Sequence, residues 1–303
     1  MMATDAELEG RVVVVTGAAR AMGRAHTEAF LAAKARVVAA DISWDGCEDF
    51  RAKLDVDPNA LALDMDITND EQIDAAYKAT LDKFGTTDVL VNNAALLNLG
   101  GSRPQATTLE TMDEDWTRIF GVNVFGTVKV IRRFIKPMIE KRRGSIINVV
   151  SSGLLNFSHG GGFTALRPHT REMPYMSSKA AVATMGFYLA YEVQADNIAV
   201  NMITPGHSRH GWFVQRMRAR MAQGRPPGYR PMKPEHAVPI VQFLATQDGS
   251  GVTGKLFDVV TWNQEHGLGS YEDWEDYSFP ADLEEAFAHA ERAPSPVGGY
   301  HSR

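Results

Sequence analysis

Cysteine is almost missing from this chain. Cys47 is the only one among 303 residues, which excludes an intrachain disulfide and any metal site built from cysteine pairs. Long hydrophobic runs are missing too. None approaches the roughly 18 apolar residues of a membrane span, and the polar, acidic segment 1–10 has no apolar stretch of the kind a secretory leader carries. A soluble, reducing, cytoplasmic setting is therefore the expectation. Positive charge is not in excess, since 31 Lys and Arg against 37 Asp and Glu leave a net charge of −6; nothing here provides a footing for nucleic acid. No linker rich in Pro, Gly and Ser divides the chain, and no repeat is visible. With 44% hydrophobic residues, residues 1–303 are expected to form a single α/β domain.

The N-terminal part carries a readable pattern. Val12-Val13-Val14-Val15 is a β-branched run suited to a strand buried on both faces. Thr16-Gly17-Ala18-Ala19-Arg20-Ala21-Met22-Gly23 follows at once and leads into a helical composition over 24–33. Strand, glycine turn and helix in that order make a dinucleotide site, because helix N-terminal N–H groups hold a pyrophosphate. Ala21 stands where a second glycine is usual, and an alanine cannot cheaply adopt a positive φ. A second strand over 36–40 ends at Asp41, 24 residues after Gly17. An acid there holds adenosine ribose hydroxyls and repels a 2′-phosphate, which favours NAD. Arg20 argues the other way, since a basic residue in the turn would pair with the 2′-phosphate of NADP.

Strands are further expected over 60–64, 89–91, 145–150, 198–203 and 256–260, with helices over 70–84 and 113–142 and another starting at Tyr175. Such alternation predicts a doubly wound parallel sheet, seven-stranded and Rossmann-type, with helices on both faces and ligands at the carboxyl ends of the strands. Asn123 lies inside the 113–142 helix, where asparagine is a poor choice. In Tyr175-Met176-Ser177-Ser178-Lys179 the tyrosine and lysine are four apart, so one helix face presents both. A free phenol has a pKa near 10, and an ammonium within about 4–6 Å favours its ionised form. Poising it near pH 7 takes about 4 kcal/mol, which a lysine and a cationic ring together would supply.

Taken jointly, Thr16-Gly17…Gly23, Asp41, Asp66, Asn92-Asn93-Ala94-Ala95, Asn123, Ser152, Tyr175 with Lys179, and Pro205-Gly206 resemble the short-chain dehydrogenase/reductase family of the common single-domain type, over about residues 8–260. The resemblance implies an NAD-dependent enzyme interconverting a secondary alcohol and a ketone. Tyr175 would be the general acid/base, Lys179 would lower its pKa and hold the nicotinamide ribose, and Ser152 would hydrogen-bond the substrate oxygen. Asn123 would hold a water linking Lys179 to solvent. Cofactor contacts would come from Gly17, Arg20, Met22, Gly23, Asp41, Asp66, Ile67, Asn93, Ala94, Tyr175, Lys179, Pro205 and Gly206. Substrate contacts would come from Ser152, Leu154, Phe157, Tyr175, His207 and Trp212. No metal is required, and a homodimer or homotetramer built on the helices near Asp113 and Tyr175 is implied.

The chain departs from the family pattern in three places. Between Ser152 and Tyr175 lie 22 residues, visibly more than is usual, and the inserted loop 156–173 points to a bulky or partly aromatic substrate. His210 stands where the family has a threonine. Finally, 207–234, which the resemblance makes a lid over the substrate, contains Arg209, Arg216, Arg218, Arg220, Arg225, Arg230 and Lys233 and no acid. The extension 261–303 is acidic and aromatic, with a short helix expected over 282–292. The basic segment is either a steering surface for an anionic substrate or the dock for that acidic extension, from its own or a neighbouring subunit. Two further readings are an NADP-dependent carbonyl reductase and a catalytically idle cofactor-binding protein.

Overall fold

The computed structural model describes residues 5–97, 109–154, 173–210, 213–224 and 230–289. A short helix α1 (Asp5–Leu8) precedes strand β1 (Val12–Thr16), and the strands β2 (Arg36–Asp41), β3 (Ala60–Asp64), β4 (Val89–Asn92), β5 (Gly144–Val149), β6 (Ile198–Thr204) and β7 (Leu256–Asp258) follow. They form one sheet in the order β3-β2-β1-β4-β5-β6-β7, with every adjacent pair parallel. The order reverses between β1 and β4. That reversal opens the crevice where such sheets bind ligands.

The valine run of β1 is buried throughout, and its alternation divides the core in two. Val13 and Val15 pack with Phe30, Ile240, Val241, Leu244 and Trp262, under helices α2 (Ala21–Ala32), α10 (Val238–Ala245) and α11 (Val259–Glu265). Val12 and Val14 face the other way, onto Ile73, Phe134, Met138 and Ile146 beneath α4 (Asp70–Phe84), α6 (Thr127–Phe134) and α7 (Lys136–Lys141). Helix α3 (Glu48–Val56) packs beside β3. The ends of α4 follow ordinary capping chemistry. The Asn69 side chain accepts from Gln72 N at 3.1 Å, and Gly85 closes the helix at φ 77°.

Three stretches differ from the sequence expectation. The span 113–142 is not one α-helix: α5 (Asp113–Phe120) passes through a π-helical segment, Gly121–Gly126, into α6. There the chain runs so close to the loop after β3 that a Cβ on Gly126 would lie 2.8 Å from the Ile67 side chain. Such widened turns recur at functional sites. The last strand stops at Asp258 rather than residue 260, because the Asp258 carboxylate accepts from Thr261 N at 3.0 Å and caps α11. Helix α2 begins at Ala21, and that alanine takes φ 47° despite its Cβ. Helix α8 spans Met173–Val193, α9 Phe213–Ala222 and α12 Ala281–His289. Among the described residues no helix is long and apolar enough to cross a membrane.

Candidate active site

The glycine turn is built to bring backbone close to a ligand. Gly17 has φ 66°, a conformation glycine adopts freely. A Cβ on Gly23 would sit 1.9 Å from Gly17 O, so only glycine lets α2 start this close to the turn. Thr16 and Asn93 fasten the turn to β4. Thr16 Oγ1 accepts from Asn93 N and Ala94 N, both at 3.1 Å, and Asn93 Nδ2 donates to Thr16 O and Gly17 O, both at 3.0 Å. The Asn93 amide therefore shapes the cradle. Ala19 N donates to Asp41 Oδ2 at 2.9 Å, which ties the turn to the end of β2. Arg20 reaches across the same opening and donates to the carbonyls of Ser43 and Asp45. The first N–H groups of α2, near Met22, lack intrahelical acceptors, as at any helix start. A turn that excludes side-chain bulk, a helix N-terminus and an acid at the next strand end together fit a dinucleotide.

Beyond β3, Asp66 Oδ1 accepts from Thr68 N and Thr68 Oγ1, both at 2.8 Å, and holds the bend that carries Ile67. On the other side of the crevice, Gly206 at φ 75° follows Pro205 directly after β6. Pro205 O faces Nε2 of His236, whose Nδ1 faces Lys233 O at 2.7 Å. A neutral imidazole can donate to only one of them. His236 is fully buried, as is His26 of α2; burial, and next the neighbouring His236, push His26 down to about 3. Sequence reasoning missed His236, because a solitary histidine carries no spacing signal.

The tyrosine and lysine four residues apart lie on α8. Lys179 is buried, its Nζ donates to Val149 O at 2.8 Å, and that Nζ lies 5.8 Å from the Tyr175 ring centroid. Val149 ends β5, and Ser152 opens the short 3₁₀ turn Ser152–Leu154 three residues later, so the ammonium and Ser152 belong to the same strand end. Burial lowers the Lys179 pKa to about 8, which leaves the ammonium largely charged at neutral pH beside a half-buried tyrosine. Asn123, at the centre of the π-helical segment, accepts from Leu96 N at 2.7 Å and donates to Leu96 O at 3.0 Å and Ser178 Oγ at 2.9 Å. Ser178 Oγ in turn donates to Tyr175 O at 2.7 Å. The asparagine thus leaves its own helix and fixes the first turn of α8. Leu154 is buried with Val150, Val182, Ala183 and Met202 and forms part of the core beneath the site. His207 and His210 lie just after Gly206, and burial, with Arg216 as the second cause, pushes His210 down to about 4. Phe157 and Trp212, with the loop 156–172, lie outside the described residues.

The geometry has a pH consequence. The Lys179 pKa is about 8 in the folded chain and 10.5 ordinarily, so between these values the unfolded chain binds more protons and stability rises with pH. Below about pH 8 both forms are charged, and burial costs the fold about 3 kcal/mol. Denaturant unfolding of the chain without added dinucleotide is therefore expected to show this rise, and Lys179→Met to lose it. Equal slopes in the two proteins would refute it.

Comparison with known proteins agrees with this geometry. A family model for short chain dehydrogenases matches residues 11–216. The chain belongs to the short-chain dehydrogenase family. Its relatives include the fluoren-9-ol dehydrogenase of Terrabacter sp. (strain DBF63), 52% identical over 289 residues, which are 95% of this chain and 81% of that one. The 3-alpha-(or 20-beta)-hydroxysteroid dehydrogenase of Mycobacterium tuberculosis (strain ATCC 25618 / H37Rv) is 34% identical over 256 residues, 83% and 88% of the two chains. Among solved structures, the 3-ketoacyl-(acyl-carrier-protein) reductase from Brucella melitensis complexed with NADH superimposes with a TM-score of 0.68 at 29% identity, over 83% of this chain and 97% of that one. As a short-chain dehydrogenase the chain is an oxidoreductase of the nicotinamide-dependent kind, with a Rossmann-type fold.

Proposed function

We propose that this short-chain dehydrogenase is NAD-dependent and interconverts a secondary alcohol and its ketone, and that its substrates are fused-ring aromatic alcohols of the fluoren-9-ol kind. The observation that carries the reading is the buried Lys179 ammonium beside Tyr175 at the end of β5, in a chain 52% identical to a fluoren-9-ol dehydrogenase. A bound nicotinamide would supply the hydride acceptor for alcohol oxidation and the hydride donor for ketone reduction. Gly17, Gly23 and the start of α2 would hold the pyrophosphate, Asp41 the adenosine ribose, and Lys179 the nicotinamide ribose. Tyr175 takes the proton from the substrate hydroxyl as the carbon–hydrogen bond breaks, and Lys179 stabilises its phenolate. Ser152 donates a hydrogen bond to the same substrate oxygen and so supports charge that grows there.

An uncharged substrate is supported by the basic segment, where Arg209, Arg218 and Arg230 are each paired with acids of this chain's own C-terminal extension. A cytoplasmic homo-oligomer is part of the reading, and the exposed Phe125, Phe187, Tyr188 and Tyr191 on the π-helical segment and α8 provide an apolar face for it. The test is absorbance at 340 nm with fluoren-9-ol and either NAD or NADP. Turnover with NAD is expected, and Asp41→Ala is expected to narrow the preference over NADP about tenfold, the effect of about 1.4 kcal/mol. Equal or better turnover with NADP in the unaltered protein would assign the cofactor to Arg20 instead, as a carbonyl reductase.

A further inference from the structure

We infer that the C-terminal extension, described to residue 289, is a working part of the substrate site: it holds residues 207–210 and helix α9 (Phe213–Ala222) in place beside the strand ends, through Arg230 and Met232, and so sets how tightly the alcohol binds. The inference rests on the oxidoreductase reading above and extends it to residues outside the region that the family model covers.

Residues 207–210 leave β6 directly after Pro205-Gly206, next to the end of β5 where Lys179 is held. Among the described residues, the backbone bonds of 207–209 run outside the sheet. A small three-layered backbone pairing secures them instead. Met232 N donates to His207 O at 2.8 Å and Arg209 N to Met232 O at 2.9 Å, so 207–209 lies alongside 231–233. On the opposite side, Lys233 N donates to Trp274 O and Asp276 N to Pro231 O, both at 2.8 Å. The extension thus adds a third strip to the pair, and Met232 in the middle is fully buried with Val260 and Tyr271. Met232 also reaches the turn after β6, since its Cε lies 2.8 Å from where a Cβ on Gly206 would be.

Side chains repeat the arrangement. The Arg230 guanidinium lies 4.0 Å from the Tyr277 ring centroid and 4.8 Å from that of Phe287. It also pairs with Glu284 at 2.7 Å and donates to Asp276 O at 2.9 Å, while Tyr271 OH donates to Arg230 O at 2.6 Å. Arg209 pairs with the buried Asp276 carboxylate at 3.1 Å, and Arg218 of α9 forms a forked pair with Asp282 at 2.9 and 3.0 Å. Phe213 and Met217 of α9 bury their faces against Phe279, Leu283 and Phe287. Among the described residues α9 has this cluster as its apolar contact. Removing the extension's side chains therefore leaves α9 with an apolar stripe that nothing else among the described residues covers, and α9 loses its position.

The test compares Phe287→Ala, Arg230→Met and the milder, exposed Arg218→Ala with the unaltered full-length protein, using hydrogen exchange of the amides in 213–224 and steady-state kinetics with fluoren-9-ol. Exchange in α9 should rise about tenfold or more in Phe287→Ala and Arg230→Met, with β1 and β4 unchanged. The alcohol KM should rise about tenfold while the NAD KM stays within about twofold, a split that a general loss of folded protein does not produce. Arg218→Ala should show the same effects in smaller measure, so the inference remains testable if either stronger variant fails to fold. Unchanged exchange in α9 overturns the inference, and so does raised exchange with an unchanged alcohol KM. Failure of the underlying oxidoreductase reading is distinct: it shows as no Tyr175-dependent turnover in the unaltered protein, and it removes this inference as well.

Discussion

Replacing Tyr175 by phenylalanine is expected to lower turnover of fluoren-9-ol by about a thousandfold, within the 10²–10⁴ range of a positioned acid/base group, while NAD affinity changes by no more than about twofold. The ring stays, so helix α8 keeps its packing and Lys179 keeps its hydrogen bond to Val149 O. Only the phenolic oxygen, to which the proposed function gives the proton transfer, is lost. Lys179 cannot take over, because its ammonium is committed to that carbonyl and is buried behind the ring. If the two residues act as a unit, Lys179→Met added to Tyr175→Phe should lower the rate little further, although Lys179→Met alone should be strongly impaired. Rates at 340 nm and a fluorescence titration with NADH measure the two halves of this expectation. Turnover in Tyr175→Phe within about tenfold of the unaltered protein would move the proton transfer to another group.

Gly23→Ala is expected to have the next largest effect, and on a different quantity. Its new Cβ would lie 1.9 Å from Gly17 O and 2.8 Å from Asn93 Nδ2. Neither neighbour can give way cheaply. Gly17 O already accepts from Asn93 Nδ2, which also holds Thr16 O, so moving the carbonyl breaks the fastening of the whole turn to β4. The chain must shift α2 away from the turn, and overpacking of this kind costs about 1–3 kcal/mol of stability. NADH affinity should fall by about a hundredfold or more, because the helix N-terminus no longer meets the turn in the geometry that holds a pyrophosphate. Gly85→Ala is the matched comparison. Gly85, unlike the helical Gly23, has φ 77°, so a Cβ there strains the backbone, but it meets nothing within 4 Å, and the change should cost stability alone. Equal NADH affinity in Gly23→Ala and Gly85→Ala would show that the turn has no part in cofactor binding.

Much of this site was legible in the sequence because its signals are local. A valine run, a glycine turn and an acid at the next strand end describe consecutive elements. Tyr175 and Lys179 meet because residues four apart share a helix face. The roles of Asn123 and Asn93 were not legible in the same way. Their partners, Ser178 and Leu96 for one and Thr16 and Gly17 for the other, are distant in sequence, and an asparagine's type does not say which backbone it will meet. Ala21 reads as a residue that avoids positive φ, yet it adopts φ 47° where the turn enters α2, since tertiary packing overrode a local preference. The end of β7 was misplaced by the apolar pair Val259-Val260, which reads as strand but follows a capping aspartate.

The sequence by itself determined the alternation of strands and helices, the glycine turn, the acid after β2 and the tyrosine–lysine spacing, because each is set by periodicity or by backbone freedom within a few residues. Only the tertiary structure decided that the basic segment after β6 docks on this chain's own acidic extension. Opposite charges on two stretches state that pairing is possible. Which copy supplies the partner depends on where the chain returns in space, and here Arg230 meets Glu284 and Asp276 across some fifty residues of intervening sequence because Lys233 N donates to Trp274 O and Asp276 N to Pro231 O, which lays the two stretches side by side.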